Sequence, residues 1–419
     1  MRLKEYTLSA NTGLDAIKRA PILDTPTDLR CIRITDISQN NDFEDWGYTE
    51  VSPNDYKKFR LKKNDILVAR TGATVGVSYI VKDDFNAVYN NGTIRLNLKD
   101  NVDTDFIYHL FQTKSFRDYI DNISCVATQP NLRIEGLLKF DIPDISYDTQ
   151  LKISKCLNKY NELIKLNNKR IKLLEQTAQE IYKEWFVRFR FPGYEKIKKK
   201  ASSIGKIPET FNVVKMNEVI LDSIGGGWGE EDYSEQYPQE GYVIRGADFP
   251  YVSKGDMSSC PFRYHKQSNY DARQLKENDI IIEISGGTQE QPVGRTVLIT
   301  KGMLDKLENK VICASFCKRI TLNEDIISPY FFYYWTQFLY DTRMIDRFQL
   351  QSTGIINFKF EYFLKKGDCL LPPKPLMNGF ENEVRNIKKQ IDLLASENAN
   401  LIKQRDYLLP RLMSGKLEV

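Results

Sequence analysis

A helical pattern begins near residue 150, and its second half is Leu173-Leu-Glu-Gln-Thr-Ala-Gln-Glu-Ile-Tyr-Lys-Glu-Trp-Phe-Val-Arg-Phe-Arg190. Neither Pro nor Gly interrupts it before Pro192 and Gly193, which predict its end. About 40 residues at 1.5 Å each make a rod roughly 60 Å long, which cannot bury an apolar seam against itself. The seam residues recur at helical spacing; they are Ile153, Leu157, Tyr160, Ile164, Ile171, Leu174, Ala178, Ile181 and Trp185. The pattern therefore predicts a partner helix.

A second long helical pattern, over residues 379–413, supplies a candidate partner. Its seam residues are Val384, Ile387, Ile391, Leu394, Leu401, Leu408 and Leu412. Asn398 and Arg405 are polar residues at seam positions, and Asn167 interrupts the first seam in the same way. Buried polar residues can fix the register of paired helices, or can simply be tolerated in a solvated layer.

The rest of the chain contains an internal repeat. Arg33 and Asp36 are matched by Arg245 and Asp248, both 212 residues later. Leu61-Lys-Lys-Asn-Asp-Ile-Leu-Val-Ala-Arg-Thr-Gly72 is matched 214 residues later by Leu275-Lys-Glu-Asn-Asp-Ile-Ile-Ile-Glu-Ile-Ser-Gly286. The order is thus domain, helix, domain, helix, so the chain is two copies of one unit.

The repeat predicts an α/β (α+β) fold with two mixed domains joined by two long helices. Two copies of one unit tend to pack about a pseudo-twofold axis, which would make the helices antiparallel and form a coiled coil. The predicted segments are a first domain (1–146), a long helix (147–192), a linker (193–210), a second domain (211–374), and a second helix with a tail (375–419). Strands are expected at 31–37, 65–69, 77–81 and 92–98, and a helix at 105–112.

Several function classes are excluded by missing motifs. The 419 residues contain no G-x-x-x-x-G-K-[ST] loop and no run of about 18 apolar residues. Ser328-Pro-Tyr-Phe331 has one Pro at a helix start, unlike the Pro-Pro-aromatic motif of adenine methyltransferases. Two histidines and scattered cysteines give no metal-ligand pattern. We therefore expect a cytoplasmic protein with reduced thiols that has no active site, metal or cofactor of its own.

Three motifs resemble a known family. Leu173 to Tyr194 resembles the central conserved region of the specificity subunit of type I restriction–modification systems. Leu408-Leu-Pro-Arg-Leu-Met-Ser-Gly415 resembles its distal conserved region, and Leu61 to Gly76 resembles a strand–loop of its target-recognition domains. The second repeat departs from this pattern, because Glu283-Ile-Ser-Gly-Gly-Thr-Gln-Glu-Gln-Pro-Val-Gly294 is a longer loop.

This resemblance implies that each globular domain recognises one half of a bipartite double-stranded DNA sequence. The two helices would set the separation of the halves and dock two methyltransferase subunits. Restriction subunits, which are helicase-nucleases, would complete the assembly. S-adenosylmethionine, ATP and Mg²⁺ would then be used in these partner subunits.

Base recognition in the major groove requires Arg, Asn, Gln and smaller polar side chains on exposed loops. The candidates in the first domain are Arg70, Thr71, Thr74, Gln129, Asn131 and Arg133. Those in the second are Thr288, Gln289, Gln291, Arg295, Thr353, Asn357 and Lys359. Each could instead be a solvated loop residue or form a turn hydrogen bond. Near the end of the first helix, Trp185, Phe186, Arg188 and Phe189 could dock a methyltransferase subunit or could cap the helical seam.

Two other hypotheses remain open from the sequence. The first is a coiled-coil scaffold or orphan subunit without DNA recognition. The second is a self-contained methyltransferase or nuclease, which the missing motifs disfavour. The basic cluster Lys196-Ile-Lys-Lys-Lys200 is compatible with nucleic-acid binding and with a solvated linker.

Overall fold

The computed structural model describes residues 1–39, 41–124, 131–288, 291–352 and 355–414. Two compact units are present. The first comprises Met1–Leu163 with Leu401–Val419, and the second comprises Ile164–Asn400. The boundary between them falls inside each of the two long helices.

The first unit is a mixed α/β structure with two four-stranded sheets. Its strands are β1 (Thr7–Thr12), β2 (Ile22–Leu23), β3 (Arg30–Ile32), β4 (Gly47–Thr49), β5 (Ile66–Ala69), β6 (Ser78–Ile80), β7 (Ala87–Tyr89) and β8 (Thr93–Leu98). Its helices are α1 (Leu3–Tyr6), α2 (Ile34–Gln39), α3 (Pro53–Phe59), α4 (Thr104–Leu110), α5 (Lys114–Ser124), α6 (Ile134–Leu137) and the start of α7 (Tyr147–Tyr182). Phe43–Asp45 forms a 3-10 turn.

The second unit repeats this architecture and adds two hairpins. Its strands are β9 (Lys199–Ser202), β10 (Gly205–Pro208), β11 (Asn212–Lys215), β12 (Ile220–Gly225), β13 (Gln239–Ile244), β14 (Phe262–His265), β15 (Ile280–Glu283), β16 (Ser285–Gly287), β17 (Thr296–Leu298), β18 (Val311–Cys313), β19 (Cys317–Leu322), β20 (Gln349–Ser352), β21 (Ile355–Phe358) and β22 (Asp368–Leu371). Its helices are α8 (Met216–Val219), α9 (Phe249–Val252), α10 (Gln267–Arg273), α11 (Lys301–Lys306), α12 (Pro329–Asp341), α13 (Phe360–Lys366) and α14 (Lys374–Met413), which continues into the first unit.

Sheet order confirms the internal repeat. In the first unit one sheet has the antiparallel order β1-β8-β5-β6, and in the second unit the equivalent order is β12-β19-β15-β17. A second sheet, β2-β4-β3-β7, contains one parallel pair between β3 and β7. It corresponds to β14-β13-β18, in which β13 and β18 are parallel.

One central strand of the antiparallel sheet in each unit is buried on both faces. In β5, Ile66 and Val68 join one core cluster and Leu67 joins another. In β15, the residues that do the same are Ile280 and Ile282 on one side and Ile281 on the other. This two-sided burial explains why both strands appear in the sequence as continuous apolar runs.

The matched polar residues of the repeat form the same contacts in each copy. Asp36 accepts hydrogen bonds from the backbone N–H and the guanidinium of Arg33, and Asp248 does the same with Arg245. Asp65 accepts from the N–H of Lys62, and Asp279 accepts from that of Lys276, at 2.9 and 2.7 Å. Each pair closes a tight turn at the start of a buried segment.

The long helices pair in antiparallel fashion within each unit. In the second unit, Asn167 donates to Asn398 at 3.1 Å, and Glu175 pairs with Lys388. Rising numbers in α7 thus face falling numbers in α14. In the first unit, Arg405 donates to Asn161 at 2.8 Å, and Ile153 and Leu157 share a core with residues of the α14 C-terminal end. The prediction of an antiparallel helix pair is confirmed.

Three predicted segments need correction. The strand expected over 31–37 ends at Ile32, because Asp36 caps the turn that begins α2. The linker expected over 193–210 contains the hairpin β9–β10, in which Ile207 is buried. The helix expected over 147–192 changes at Lys183–Val187 into a π-helical turn, after which Phe189 adopts a φ of 56°.

Cysteine side chains lie mostly in the cores. Among the described residues, Cys31, Cys260, Cys313, Cys317 and Cys369 are buried free thiols. Burial raises the pKa of Cys31, Cys260 and Cys313 to about 12. Searched over the described ranges, the helices include none with the length and apolar character needed to cross a bilayer.

Candidate nucleic-acid interface

The first unit presents a glycine-bearing loop between β5 and β6. The N–H of Gly76 donates to the carbonyl of Ala69 at 2.9 Å, and this bond closes the loop. Gly72 and Gly76 have φ values of 80° and 87°, which favour glycine. A Cβ on Gly76 would lie 2.9 Å from Ile120 of α5, so the loop packs closely on that helix.

Residues 131–133 lie against this loop. Arg70 donates from its guanidinium to the Asn131 side-chain oxygen at 3.1 Å, and Thr71 forms an isolated β-bridge with Asn131. Leu132 is buried and donates its N–H to the Arg70 carbonyl, which anchors the segment. The structure thus brings Arg70, Thr71 and Asn131 together.

The remaining first-unit candidates lie in the same two segments. Thr74 is half-buried within the loop, and its carbonyl accepts from the N–H of Val77. Arg133 is exposed at the start of α6. Gln129 lies outside the described residues.

The equivalent loop of the second unit starts from the same backbone geometry. The N–H of Glu283 donates to the carbonyl of Arg295 at 2.9 Å, as Ala69 does to Val77. Gly294 donates to the carbonyl of Glu283 at 3.0 Å, as Gly76 does to Ala69. Glu283 and Arg295 therefore occupy the positions of Ala69 and Val77.

An asparagine from a later segment again lies against the loop. The hydroxyl of Ser285 donates to the side-chain oxygen of Asn357 at 2.7 Å, and β16 pairs with β21 at this point. Ser285 lies 214 residues after Thr71, which is the offset of the sequence repeat. The repeat could therefore have identified Ser285, although Ser285 was not among the predicted site residues. Asn357 is the counterpart of Asn131.

The other second-unit candidates lie around the paired strands β16 and β21. Thr288 and Gln291 are exposed and bonded to each other, since Thr288 N–H donates to the Gln291 carbonyl and Gln291 N–H donates to the Thr288 hydroxyl. Lys359 is exposed immediately before α13. Gln289 and Thr353 lie outside the described residues.

Arg295 occupies a different environment from the one expected. Its side chain is 16% exposed, and its guanidinium binds both carboxylate oxygens of Glu283. It also donates to the Gly246 carbonyl at 2.9 Å. The sequence did not indicate Glu283 as the partner of Arg295, because the first repeat has Ala69 at the position of Glu283.

The four residues expected to dock a partner have different surroundings. Phe186 is buried in the second-unit core, where its ring lies 4.8 Å from Phe331, so its side chain is not available at the surface. Trp185 is half-buried beside a surface groove of about 620 Å³. Phe189 packs edge-on against Phe211, and Arg188 is exposed and paired with Glu184.

The two histidines are buried. Burial lowers the pKa of His109 to about 4, while a hydrogen bond between its Nε2 and the Asn158 side-chain oxygen opposes this shift. Burial also lowers the pKa of His265, which lies near the Gly241 carbonyl. Within the described parts of the chain, no three His, Cys, Asp or Glu side chains are grouped as metal ligands.

The chain is similar in sequence to several known proteins. Residues 18–176 match the family described as the type I restriction modification DNA specificity domain. The chain is 25% identical over 367 residues to the type I restriction enzyme MjaIX specificity subunit of Methanocaldococcus jannaschii, covering 86% of this chain and 79% of that relative. It is 21% identical over 428 residues to the HindI specificity subunit of Haemophilus influenzae, covering 86% of this chain and 88% of the relative.

A solved structure has the same fold. The S subunit of a type I restriction–modification system from M. genitalium superposes with a TM-score of 0.56 and 15% identity, covering 98% of this chain and 95% of that one. The chain is therefore similar to type I restriction–modification specificity subunits, both in sequence and in fold.

Proposed function

We propose that this chain gives a type I restriction–modification complex its DNA sequence specificity by reading one half of a bipartite double-stranded site with each domain. One observation carries the proposal. Both units place an asparagine, Asn131 or Asn357, against a loop that leaves the end of the central strand. The scaffold is the same while the loop side chains differ, which suits two different half-sequences.

The proposal extends to partners. The paired helices separate the two half-sites and dock two methyltransferase subunits, and restriction subunits join the same complex. The chain is not catalytic by itself and works in the cytoplasm. Methyl transfer from S-adenosylmethionine, together with ATP- and Mg²⁺-dependent cleavage, takes place in the partners. The half-buried Trp185 and Phe189 and the exposed Arg188 are the remaining candidates for methyltransferase contact.

The decisive experiment is methylation mapping. The chain is co-expressed with its methyltransferase subunits in a host that lacks the system, and methylated adenines are located across the genome. One bipartite site is expected, and it should disappear when this chain is omitted. Methylation without sequence preference would contradict the proposal, and failure to retain DNA or methyltransferase would favour the scaffold hypothesis.

Exchange of one domain provides a finer test. Replacement of residues 1–146 by the corresponding segment of a relative should change one half of the recognised sequence. The other half should stay as it was, because it is assigned to residues 211–374. A change in both halves would contradict the assignment of one half-site to each domain.

A further inference from the structure

A buried ion pair stands at the base of the second-unit loop. Arg295 Nε donates to Glu283 Oε2 at 2.9 Å, and its Nη2 donates to Oε1 at 2.7 Å. The side chains are 16% and 7% exposed, respectively. A two-point contact between Arg and a carboxylate fixes the plane of the guanidinium.

A neighbouring turn holds the same guanidinium from another side. The Gly246 carbonyl accepts from Arg295 Nη2 at 2.9 Å, and the ring of Phe249 lies 5.7 Å from the guanidinium carbon. A Cβ on Gly246 would come within 2.4 Å of the Glu283 carboxylate, so the turn is packed directly onto the pair. Arg295 therefore has little freedom to reorient.

The side chain of Gln291 contacts the remaining side of the Arg295 guanidinium. The side-chain amide of Gln291 faces the guanidinium of Arg295, and with its oxygen on that side it accepts from both Nη1 and Nη2 at 2.9 Å. A guanidinium has only donors, so the amide must present its oxygen to Arg295. The backbone of Gln291 is fixed by its two hydrogen bonds with Thr288. Gln291 is nevertheless exposed, so its amide nitrogen is the part of the side chain left for an external partner.

We infer that the Gln291 amide donates to an acceptor on a base edge. Arg295 and Glu283 are positioning residues, because they hold the amide with its oxygen facing Arg295. The inference rests on the proposed function. Glutamine usually reads adenine by accepting from N6 and donating to N7 together. That two-point contact needs the oxygen that Arg295 occupies. The remaining N–H groups suit guanine O6 or N7, adenine N7 or thymine O4, and they do not suit the cytosine N4 donor.

The first unit has no equivalent of the Glu283–Arg295 pair. At the equivalent positions it has Ala69 and Val77, and its loop is held instead by the contact between Arg70 and Asn131. The amide orientation of Gln291 is thus a property of the second repeat alone. Its effect should be confined to one half of the recognised site.

The test replaces the amide by a carboxylate. Gln291→Glu keeps an oxygen for Arg295 but turns a second oxygen outward, so the external group becomes an acceptor. In the complete methyltransferase complex acting on a randomised DNA library, one position of one half-site should change to cytosine, which presents only a donor in the major groove. The preference at that position should shift by about ten-fold or more, since a good base contact is worth roughly 1–3 kcal/mol. Gln236→Glu, on an exposed loop of the same unit, is the matched control and should leave the site unchanged.

A second variant keeps the inference testable if Gln291→Glu weakens the complex. Glu283→Ala with Arg295→Val restores the residues of the first repeat and frees the Gln291 amide to rotate. The same position should then lose its preference while the others keep theirs. An unchanged site in both variants, or changes in both half-sites, would overturn the inference. A wild-type complex without any bipartite site would instead overturn the proposed function.

Discussion

Two asparagines, Asn64 and Asn278, hold left-handed backbone conformations with φ values of 71° and 74°. Each stands one residue before the buried aspartate that closes its turn, and each N–H donates to a backbone carbonyl, of Val81 and Ile299 respectively. Asn tolerates this conformation better than other residues with a Cβ. The recurrence of both residue and conformation shows that the repeat extends to individual backbone angles.

This geometry gives a prediction for Asn64. Asn64→Ala should lower the free energy of unfolding by about 1 kcal/mol, because the Cβ of alanine is strained at this φ without the local polar compensation of asparagine. Asn64→Gly should leave it nearly unchanged. Urea unfolding followed by circular dichroism measures both variants. Equal loss of stability in the two would mean that the Asn64 side chain, rather than the backbone angle, matters.

The buried His109 predicts a dependence of stability on pH. Its pKa in the folded chain is about 4, below the ordinary 6.5, so the unfolded chain binds more protons between these values. Stability should therefore fall as pH falls through this window, by about 2 kcal/mol from pH 7.5 to pH 5 for this group. His109→Gln, which keeps a hydrogen-bonding partner for Asn158, should lose less stability over the same range. If both proteins lose the same amount in urea titrations, His109 is not the cause.

Among the elements, helix α7 shows why the buried face of a helix can differ from the face that the sequence predicts. The predicted seam ends with Ile181 and Trp185, but Tyr182 and Phe186 are the buried residues. Steps of four from Ala178 lead to Tyr182 and Phe186, and a π-helical turn follows Tyr182. The second-unit core closes around Tyr182 and Phe186, while Ile181 and Trp185 are only partly buried against it, and tertiary packing decides between the two neighbouring helix faces.

The helix pair also contains a buried ion pair that can be tested. Lys388 is 4% exposed and binds Glu175, and it lies 5.1 Å from the Tyr333 ring. Lys388→Met alone should destabilise the chain by about 3–5 kcal/mol, because Glu175 is left without its partner. Adding Glu175→Met should recover most of this loss. Denaturant midpoints of the four proteins in a double-mutant cycle measure the coupling, and strictly additive losses would contradict a paired role.

For the whole molecule, the proposed spacing role of the helices makes a length prediction. Seven residues inserted between 163 and 164, with seven more between 400 and 401, lengthen each helix by about 10 Å. The half-sites in methylation maps should move apart by about three base pairs, at 3.4 Å per base pair, while both half-sequences stay the same. A seven-residue insertion in the exposed loop near Gln236 is the control. An unchanged separation with the longer helices would contradict the spacing role.

The sequence predicted the architecture more fully than the site. Repeated motifs at fixed offsets, together with two long helical patterns, were enough for the domain–helix–domain–helix order and the antiparallel pairing. The site depends on contacts between distant residues, such as Arg70 with Asn131 and Ser285 with Asn357. The burial of Arg295 depends on two replacements between the copies, Ala69 by Glu283 and Val77 by Arg295, and neither has a local sequence signal.

The buried cysteines give the molecule internal reporters of opening. Cys31 lies in a core of the first unit, while Cys317 and Cys369 lie in two separate cores of the second. A thiol reagent can reach each sulfur only when the surrounding core loosens, and the high thiol pKa values slow reaction from the closed state. Mass spectrometry of labelled peptides would therefore time the loosening of each core separately, with and without DNA.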